Sequence, residues 1–328
     1  MDNVLLLCPN FYNYREIIKN ELVKQGYNVH SFDERPSNAT FFKITLRLLG
    51  GKFFSVITKR YYRNILESIS HVKYINTILI INPEALGKDT LMLLKKEYPE
   101  AQVVLYLWDS LKNKKYISSL FEFCNRIYTF DYNDAKKFGF TFLPLFFSVK
   151  PQEIDKIEKK KIIFIGSVHS TRLDIISKIH NIAVSNNINF KFNLYFPSRL
   201  IFWFSFLRKK SLRNDLLDKV ILKPLPYEFY LKEMQSAEFV LDVSHPKQSG
   251  LTMRTMEALA YNKKIITTND NIRHYDFFDP NKHFILNDIN EKNIIHFVNT
   301  SQKECSYSPS TINRYSISSW VRALLEQK

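Results

Sequence analysis

The chain has 328 residues, with 47 Lys and Arg against 32 Asp and Glu, so its formal net charge is +15. This length predicts two domains of ordinary size, and 45% hydrophobic with 24% charged residues excludes a wholly disordered chain. The 7 glycines fit neither GxGxxG nor GxxxxGK, which excludes a dinucleotide fingerprint and a P-loop.

Metal and thiol chemistry is not indicated either. The 3 cysteines are scattered, the 8 histidines are widely spaced, and no two aspartates stand at i, i+2. We therefore expect no disulfide framework, no protein-held metal and no cofactor. The longest apolar stretch, Leu200–Leu207, is far shorter than the ~20 residues of a membrane span, so we expect a protein that is soluble or lies on a surface. The odd number of scattered cysteines favours a reducing compartment, and we expect a cytoplasmic location.

In the first half, short apolar runs alternate with helical patterns. Predicted strands are Val4–Leu7, Asn28–Phe32, Thr77–Ile81, Val103–Leu107 and Arg126–Phe130. Predicted helices are Tyr14–Gln25, Tyr61–Ile69, Asp89–Glu97, Tyr116–Phe123 and Asn133–Phe138. This alternation predicts a doubly wound, parallel sheet.

A polar segment, Glu153–Lys161, then interrupts the pattern and is the predicted linker. Predicted strands follow at Ile162–Ile165, Lys191–Tyr195, Val220–Leu222, Phe239–Asp242, Lys264–Thr267 and His283–Ile285. Predicted helices are Arg172–Ser185, Tyr227–Ser236, Leu251–Tyr261, Glu291–Thr300 and an amphipathic segment from Ile312 to Leu325.

The fold class is therefore α/β, with two Rossmann-like doubly wound domains facing a cleft. Their predicted ranges are 1–150 for the acceptor-side domain and 151–310 for the nucleotide-binding domain, while 311–328 is a C-terminal helix returning to the first domain. Ligands in such sheets bind at the carboxyl ends of strands, so residues just after strands are the candidates.

The most informative segment runs from Leu241 to Asn269 and predicts strand, loop, helix and strand. Gly250 would let an anion approach the free N–H groups at the helix N-terminus. Glu257 lies seven residues further on the same face, where a ribose diol could bind, and Arg254 between them could neutralise phosphate. The alternative is that Arg254 and Glu257 form an i, i+3 pair on the surface.

The pattern Gly-Leu-x-x-Arg-x-x-Glu-Ala-Leu-Ala, followed by Lys-Lys-Ile-Ile-Thr-Thr-Asn, resembles the donor-binding helix of GT-B glycosyltransferases. It is similar to bacterial enzymes of lipopolysaccharide and capsule assembly, of the CgeB-like type. The resemblance covers roughly Ile162 to Leu286 best. Many retaining members have a second glutamate ahead of Glu257; here Ser249 and Gly250 stand there, so the stereochemistry stays open.

The resemblance implies that the donor ribose binds Glu257 and that the diphosphate meets amides after Ser249. Its implied donor-binding residues are Gly166, Ser167, Arg172, Pro226, His245, Gln248, Ser249, Gly250, Leu251, Thr252, Arg254 and Glu257. An arginine in the first turn of a helix opposes the helix dipole, so Arg172 hints at an anionic ligand, although a solvated arginine is the alternative.

In the first half, Asp109 and Asp131 each follow a strand, and either could act as general base for an acceptor hydroxyl. Capping of the next helix is the alternative for both. His169 is a third catalytic candidate, and the acceptor-side candidates are Asn10, Tyr14 and Trp108.

Two basic, aromatic stretches, Phe41–Arg63 and Ser198–Arg213, suit an inner-membrane surface, unless their aromatic residues lie in the cores. We expect a metal-independent transfer of sugar from a nucleotide-sugar donor to a lipopolysaccharide, O-antigen or capsule glycan. Its partners would be that donor and a glycan or lipid-linked glycan acceptor. The alternatives are a nucleotide-sugar epimerase and a non-catalytic polyanion- or RNA-binding protein, although the chain has no known nucleic-acid-binding motif.

Overall fold

A computed structural model describes residues 1–11, 13–39, 42, 45–46, 54–149, 157–168, 171–208, 216–246, 248–300 and 307–326. The chain divides into two compact units. Unit 1 comprises Met1–Ser148 and Tyr315–Lys328, and unit 2 comprises Val149–Arg314. Within the described residues, no helix is both long and apolar enough to cross a membrane.

Unit 1 contains six strands and four α-helices before residue 148, within its described part. The strands are β1 (Asn3–Leu7), β2 (Asn28–Phe32), β3 (Thr77–Ile81), β4 (Gln102–Leu107), β5 (Arg126–Thr129) and β6 (Thr141–Phe142). The helices are α1 (Tyr14–Lys24), α2 (Ser55–Ser68), α3 (Lys88–Glu97) and α4 (Tyr132–Phe138), with 3-10 turns at Leu111–Asn113 and Lys115–Phe123.

The sheet of unit 1 is parallel and has the order β2-β1-β3-β4-β5-β6. Its central strands are buried on both faces because helices cover each side, which is why they consist of continuous Val, Ile and Leu runs. The strand order reverses between β1 and β3, so chain segments leaving these two strands diverge at the carboxyl edge.

Unit 2 carries the remaining strands: β7 (Glu158–Ser167), β8 (Phe190–Tyr195), β9 (Val220–Ile221), β10 (Ala237–Asp242), β11 (Lys264–Thr267) and β12 (His283–Ile285). Its helices are α5 (Arg172–Ser185), α6 (Arg199–Arg208), α7 (Tyr227–Ser236), α8 (Met253–Ala260), α9 (Glu291–Asn299) and α10 (Pro309–Arg314). The turns Leu217–Lys219 and Asp270–His274 are 3-10.

The second sheet is also parallel and has the order β12-β11-β10-β7-β8-β9. Counted within unit 2, this is the strand order of a dinucleotide-binding doubly wound sheet. Its core is rich in Phe, Ile and Leu, with Phe164, Phe192 and Phe239 fully buried. The strand order reverses between β7 and β10.

Many predicted bounds differ from the structure by one to three residues, and three elements differ in a way that has a physical reason. The predicted linker ends inside β7, because Glu158 pairs with Ala237 at the start of β10 and the strand is extended from there. The predicted helix at 61–69 begins at Ser55. The predicted helix at Tyr116–Phe123 is a 3-10 segment, Lys115–Phe123.

The predicted C-terminal helix is divided in two. The backbone extends at Tyr315 and Ser316, where Tyr315 O accepts from Phe147 N and Ile317 N donates to Phe147 O. Ser316 then caps α11 (Ile317–Leu325) through a hydrogen bond from Ser319 N. Trp320 of α11 packs against Tyr106 and Phe146 inside unit 1, with ring centroids 4.8 and 4.6 Å away.

Candidate functional site

The candidate site of unit 2 lies where its strand order reverses. Strands β7 and β10 are neighbours there, and the chain leaves them in different directions to form α5 and α8. Ligands of doubly wound sheets bind at this crevice, outside the carboxyl ends of the strands. Most of the predicted donor-binding residues lie at the ends of these two strands, in the loops after them or in the helices α5 and α8 that follow.

Arg254, in the first turn of α8, is held in a fixed position. Its Nη1 is 2.8 Å from Asp242 Oδ1, and its Nη2 donates to the backbone O of Ile165 at 2.7 Å. Asp242 Oδ2 also accepts from the hydroxyls of Thr252 and Thr255, so one fully buried carboxylate ties the end of β10 to α8. Burial alone would lower the pKa of Arg254, but Asp242, Tyr230 and Glu257 together outweigh it and the pKa is raised.

Arg172, at the start of α5, is buried rather than solvated, which excludes the alternative of a surface arginine. Its guanidinium donates to two backbone oxygens, that of Val243 and, at 2.7 Å, that of Ser167. No described carboxylate forms an ion pair with it. Burial, together with the positive charge of Arg254, lowers the pKa of Arg172 to about 9.

Gly166 makes this pair of arginines possible. A Cβ at Gly166 would lie 2.6 Å from Nη2 of Arg254 and 3.6 Å from Nη1 of Arg172. Both guanidinium groups also lie over the ring of Phe164, 4.8 Å for Arg254 and 5.6 Å for Arg172. Two cations thus converge on one partly exposed glycine, which is an arrangement suited to a multiply charged anion.

The loop before α8 is held in place by side chains from other segments of unit 2. Asn269, buried after β11, donates from Nδ2 to the backbone oxygens of Ser249 and Gly250, each at 3.1 Å. The amide of Leu251 donates to the hydroxyl of Tyr275 at 3.3 Å. Thr252 is the N-cap of α8 and accepts from Thr255 N. These contacts fix the backbone around the helix N-terminus, where the dipole favours negative charge.

Glu257 does not form a surface pair with Arg254, because its side chain is buried. Instead, its two oxygens accept hydrogen bonds from two tyrosine hydroxyls: Tyr227 at 2.5 Å and Tyr230 at 2.7 Å. Burial raises the pKa of Glu257, and these hydroxyls and Arg254 oppose the shift. The carboxylate therefore already acts as a two-point acceptor for hydroxyl groups, which is what a ribose diol requires.

The other predicted donor residues lie at the end of β7, before α7 and in the loop after β10. Pro226 is exposed and precedes α7, next to the tyrosine that contacts Glu257. His245 and Gln248 form a turn in which Gln248 N donates to His245 O. Ser167 contributes a backbone oxygen to Arg172. The predicted catalytic residue His169 lies outside the described residues.

Unit 1 has a charged network at the carboxyl edge of its own sheet. Asp109 follows β4, and its Oδ2 accepts from Asn82 Nδ2 at 3.1 Å and lies 3.3 Å from Lys114 Nζ. Lys114 is buried and also pairs with Glu84 at 3.6 Å. Asp109 itself is 39% exposed, and among the described residues its Oδ1 has no partner. One carboxylate oxygen is therefore fixed while the other faces outward.

Asn82 and Glu34 extend this network inward. Asn82 has a left-handed backbone with φ of 44°, which is unusual for a residue other than glycine and is often found at functional sites. Glu34 is fully buried, and its Oε2 accepts from the amides of Ala85 and Leu86. Burial raises the pKa of Glu34 to about 7.

The remaining candidates of unit 1 are the catalytic candidate Asp131 and the acceptor-side candidates Tyr14, Trp108 and Asn10. Asp131 is 2% exposed, and its side chain accepts from Asn133 N and Asp134 N as the N-cap of α4, which is the capping geometry. Tyr14 packs edge-on against Trp108, with centroids 6.3 Å apart, and its ring is buried. Asn10 is exposed after β1, and its amide donates to Asp33.

Sequence reasoning missed several residues that build these sites. Asp242, Asn269 and Tyr230 act on the donor-side loops, and Asn82 and Lys114 act on Asp109. Position at the end of a strand or just after it could have indicated Asp242, Asn269 and Asn82. Nothing local indicates Tyr230, whose partner Glu257 is distant in sequence, or the burial of Lys114, which pairs with the distant Glu84 as well as with Asp109. In the described part of the chain, no group of three His, Cys, Asp or Glu could hold a metal ion.

No family model and no curated protein sequence matches this chain. Solved structures do. It is similar to the Methanocaldococcus jannaschii UDP-GlcNAc 2-epimerase, solved with UDP-GlcNAc and UDP, at 13% identity, 99% coverage of each chain and a TM-score of 0.57. It is also similar to the lipopolysaccharide outer core galactosyltransferase WaaB, at 11% identity, with 98% of this chain and 96% of that one covered and a TM-score of 0.56.

A third similar structure is Anabaena Alr3699/HepE in complex with UDP and glucose, at 10% identity, 98% coverage of each chain and a TM-score of 0.59. At these identities the likeness establishes the fold alone. The chain has the GT-B fold of nucleotide-sugar glycosyltransferases and a related epimerase, with two Rossmann-like domains, as predicted. The CgeB-like subtype stays a prediction.

Proposed function

We propose that the protein is a glycosyltransferase that takes its sugar from a nucleotide-activated donor bound by unit 2. The observation that carries this proposal is Arg172, a buried guanidinium with no carboxylate partner among the described residues, beside Arg254 at the crevice of the sheet. A buried cation beside a second one is unfavourable, and Asp242, which pairs with Arg254, offsets only part of that cost, because the pKa of Arg172 is still lowered to about 9. A donor diphosphate supplies two negative groups at that point.

The rest of the donor fits the same loops. The diphosphate would lie between Gly166 and the N-terminus of α8, and the ribose hydroxyls would bind Glu257 by joining or replacing the hydroxyls of Tyr227 and Tyr230. As the bond to the anomeric carbon breaks, the two arginines would stabilise the negative charge on the departing diphosphate. This chain's own cations would perform that task in a metal-independent reaction.

Thermal stability in the presence of nucleotides tests this donor site. A nucleotide at 100 times its dissociation constant stabilises the fold by about 2.7 kcal/mol. We expect one of UDP, GDP, TDP, CDP or CMP to raise the melting temperature of the wild type. Arg172→Met removes a charge-assisted contact, so we expect its affinity for that nucleotide to fall roughly tenfold to a hundredfold.

The matched control is Arg273→Met, which removes an arginine of unit 2 that is half-exposed and pairs with Asp270. It should leave the nucleotide response unchanged. Arg172→Lys keeps the charge and should recover part of the affinity, which separates a charge effect from a folding defect. An unchanged nucleotide response in a folded Arg172→Met protein would contradict the proposal.

For the acceptor, we propose Asp109 as the general base of the transfer. Its Oδ1 would take the proton of the acceptor hydroxyl as that oxygen bonds to the anomeric carbon and the nucleoside diphosphate leaves. Asn82 and Lys114 hold the other oxygen and so fix the carboxylate. Asp131 is the weaker candidate, because its carboxylate is already used to cap α4.

Asp109→Asn tests this role. A general base contributes roughly 10²- to 10⁴-fold, so we expect kcat to fall by that factor while the nucleotide response of unit 2 stays at the wild-type value. Asp131→Asn should instead lower the melting temperature without a selective loss of kcat. Full activity of Asp109→Asn would remove it from the mechanism.

We propose a bacterial lipopolysaccharide, O-antigen or capsule glycan as the acceptor, and a cytoplasmic location at the inner face of the cytoplasmic membrane. The similarity to WaaB and the net charge of +15 support both. Epimerisation of the donor is the second candidate, favoured by the similarity to the epimerase. An epimerase needs no acceptor, so acceptor dependence separates the two.

A further inference from the structure

Helix α6 (Arg199–Arg208) is apolar and yet remains on the surface of unit 2. None of its residues is buried. Leu200 is 82% exposed, Leu207 66%, Phe204 60% and Trp203 55%, and Ile201 is also exposed. At about 100° per residue, these five side chains cover about 160° of the helix circumference as one continuous arc. Such a patch on a water-facing helix is costly unless something covers it.

Helix α6 packs against the core of unit 2, so its exposed apolar side chains do not belong to a loosely attached segment. Phe202 and Phe206, on the side opposite the exposed arc, pack against the core of unit 2. Phe202 also contacts the fully buried Phe196, with ring centroids 5.5 Å apart. The core therefore takes two aromatic rings from α6 and leaves the remaining apolar side chains facing outward.

The charge around the arc is of one sign. Arg199 and Arg208 are exposed and stand at the two ends of the helix. In the sequence, Lys209, Lys210 and Arg213 follow, and residues 196–214 contain no Asp or Glu. Helix α6 therefore combines an apolar face with an exposed arginine at each end, and the surface that complements it is apolar and bordered by negative charge.

We propose that α6 is a membrane-binding element that lies in the plane of an anionic bilayer. Its 10 residues span about 15 Å, which is too short to cross a bilayer and suitable for lying within the headgroup region. Trp203 would occupy the polar–apolar boundary that tryptophan prefers, and the cations would bind lipid phosphates. This inference supplies the contact for the proposed membrane location.

Vesicle flotation of the full-length protein tests the inference without donor or acceptor, so its outcome is independent of the proposed transfer. We expect the protein to float with phosphatidylcholine vesicles that contain about one third phosphatidylglycerol, and not with pure phosphatidylcholine vesicles. Binding should weaken as salt rises, because the cations contribute through screened attraction. Trp203 fluorescence should shift to shorter wavelength on binding, and Trp203→Phe should abolish the shift.

The decisive variant is Leu200→Gln with Phe204→Gln, which makes the centre of the arc polar while leaving Phe202 and Phe206 in the core. We expect its partitioning to fall roughly tenfold or more. Val184→Gln is the matched control, since Val184 is 65% exposed at the end of α5, and it should float like the wild type. Equal flotation of the double variant, no flotation of the wild type, or dimers that disappear in the double variant would overturn the proposal.

Discussion

Replacing Gly166 by alanine adds one methyl group at the centre of the candidate donor site. The new Cβ would lie 2.6 Å from Nη2 of Arg254 and 3.1 Å from Cζ of Phe164, both closer than atoms can approach without displacement or strain. Arg254 cannot yield freely, because Asp242 and the backbone O of Ile165 hold it at 2.8 and 2.7 Å. We therefore expect the guanidinium to lose at least one of these contacts.

The size of the effect follows from the contact that is lost. A hydrogen bond to a charged group contributes about 1.5–3 kcal/mol, and we expect the free energy of unfolding to fall by about that amount. If a nucleotide diphosphate uses the same guanidinium, its affinity should also fall, and at about 1.4 kcal/mol per factor of ten the loss is roughly tenfold to a hundredfold.

The assay measures urea unfolding and nucleotide affinity on the same preparations. Gly87→Ala is the matched control: a Cβ there meets nothing within 4 Å, and its φ of −108° suits alanine. It should keep the wild-type affinity, and its free energy of unfolding should change by no more than about 1 kcal/mol, because the lower entropy of the unfolded chain and the loss of the preferred glycine N-cap of α3 oppose each other. Wild-type nucleotide affinity in Gly166→Ala would refute the argument that Arg254 binds the donor beside Gly166.

Two further predictions concern unit 1. A pKa of about 7 for the buried Glu34 means that the folded state binds a proton that the unfolded state has lost, so stability contributed by this proton falls as pH rises from about 4.5 to 7. The difference in unfolding free energy between wild type and Glu34→Gln should fall by about 3 kcal/mol between pH 4.5 and 8, measured by urea denaturation; a flat difference would contradict it. Trp320→Ala should destabilise unit 1 by about 3–5 kcal/mol, because the ring is buried between Tyr106 and Phe146; a change below about 1 kcal/mol would contradict the packing.

Much of the fold could be predicted because parallel strands buried on both faces have continuous apolar sequences. Strands β2, β3, β11 and β12 have the predicted bounds. Strand β7 starts earlier than predicted, because its first residues, Glu158–Lys161, are charged and were assigned to the linker. In the structure, Lys161 does not face water but pairs with Glu158 and Glu233. The charge pattern of a strand cannot show that a helix packed beside it supplies the ion-pair partner of a buried lysine.

Less of the candidate site than of the fold could be predicted from the sequence. The loops after β7 and β10 were predicted because strand ends define the crevice of such a sheet. The burial of Arg172 was not, because its acceptor, the backbone O of Val243, lies 71 residues away. The hydrogen bonds from Tyr227 and Tyr230 to Glu257 likewise span 30 and 27 residues. Such contacts depend on how helices pack, and helical periodicity does not encode them.

The most direct test of glycosyl transfer is the release of nucleoside diphosphate from nucleotide sugars, with and without a bacterial lipid-linked glycan acceptor. The account predicts release that requires the acceptor, a heavier glycan product, and loss of both in Arg172→Met. Conversion of the donor to an epimer without any acceptor, or no turnover of a donor whose nucleotide binds unit 2, would contradict it.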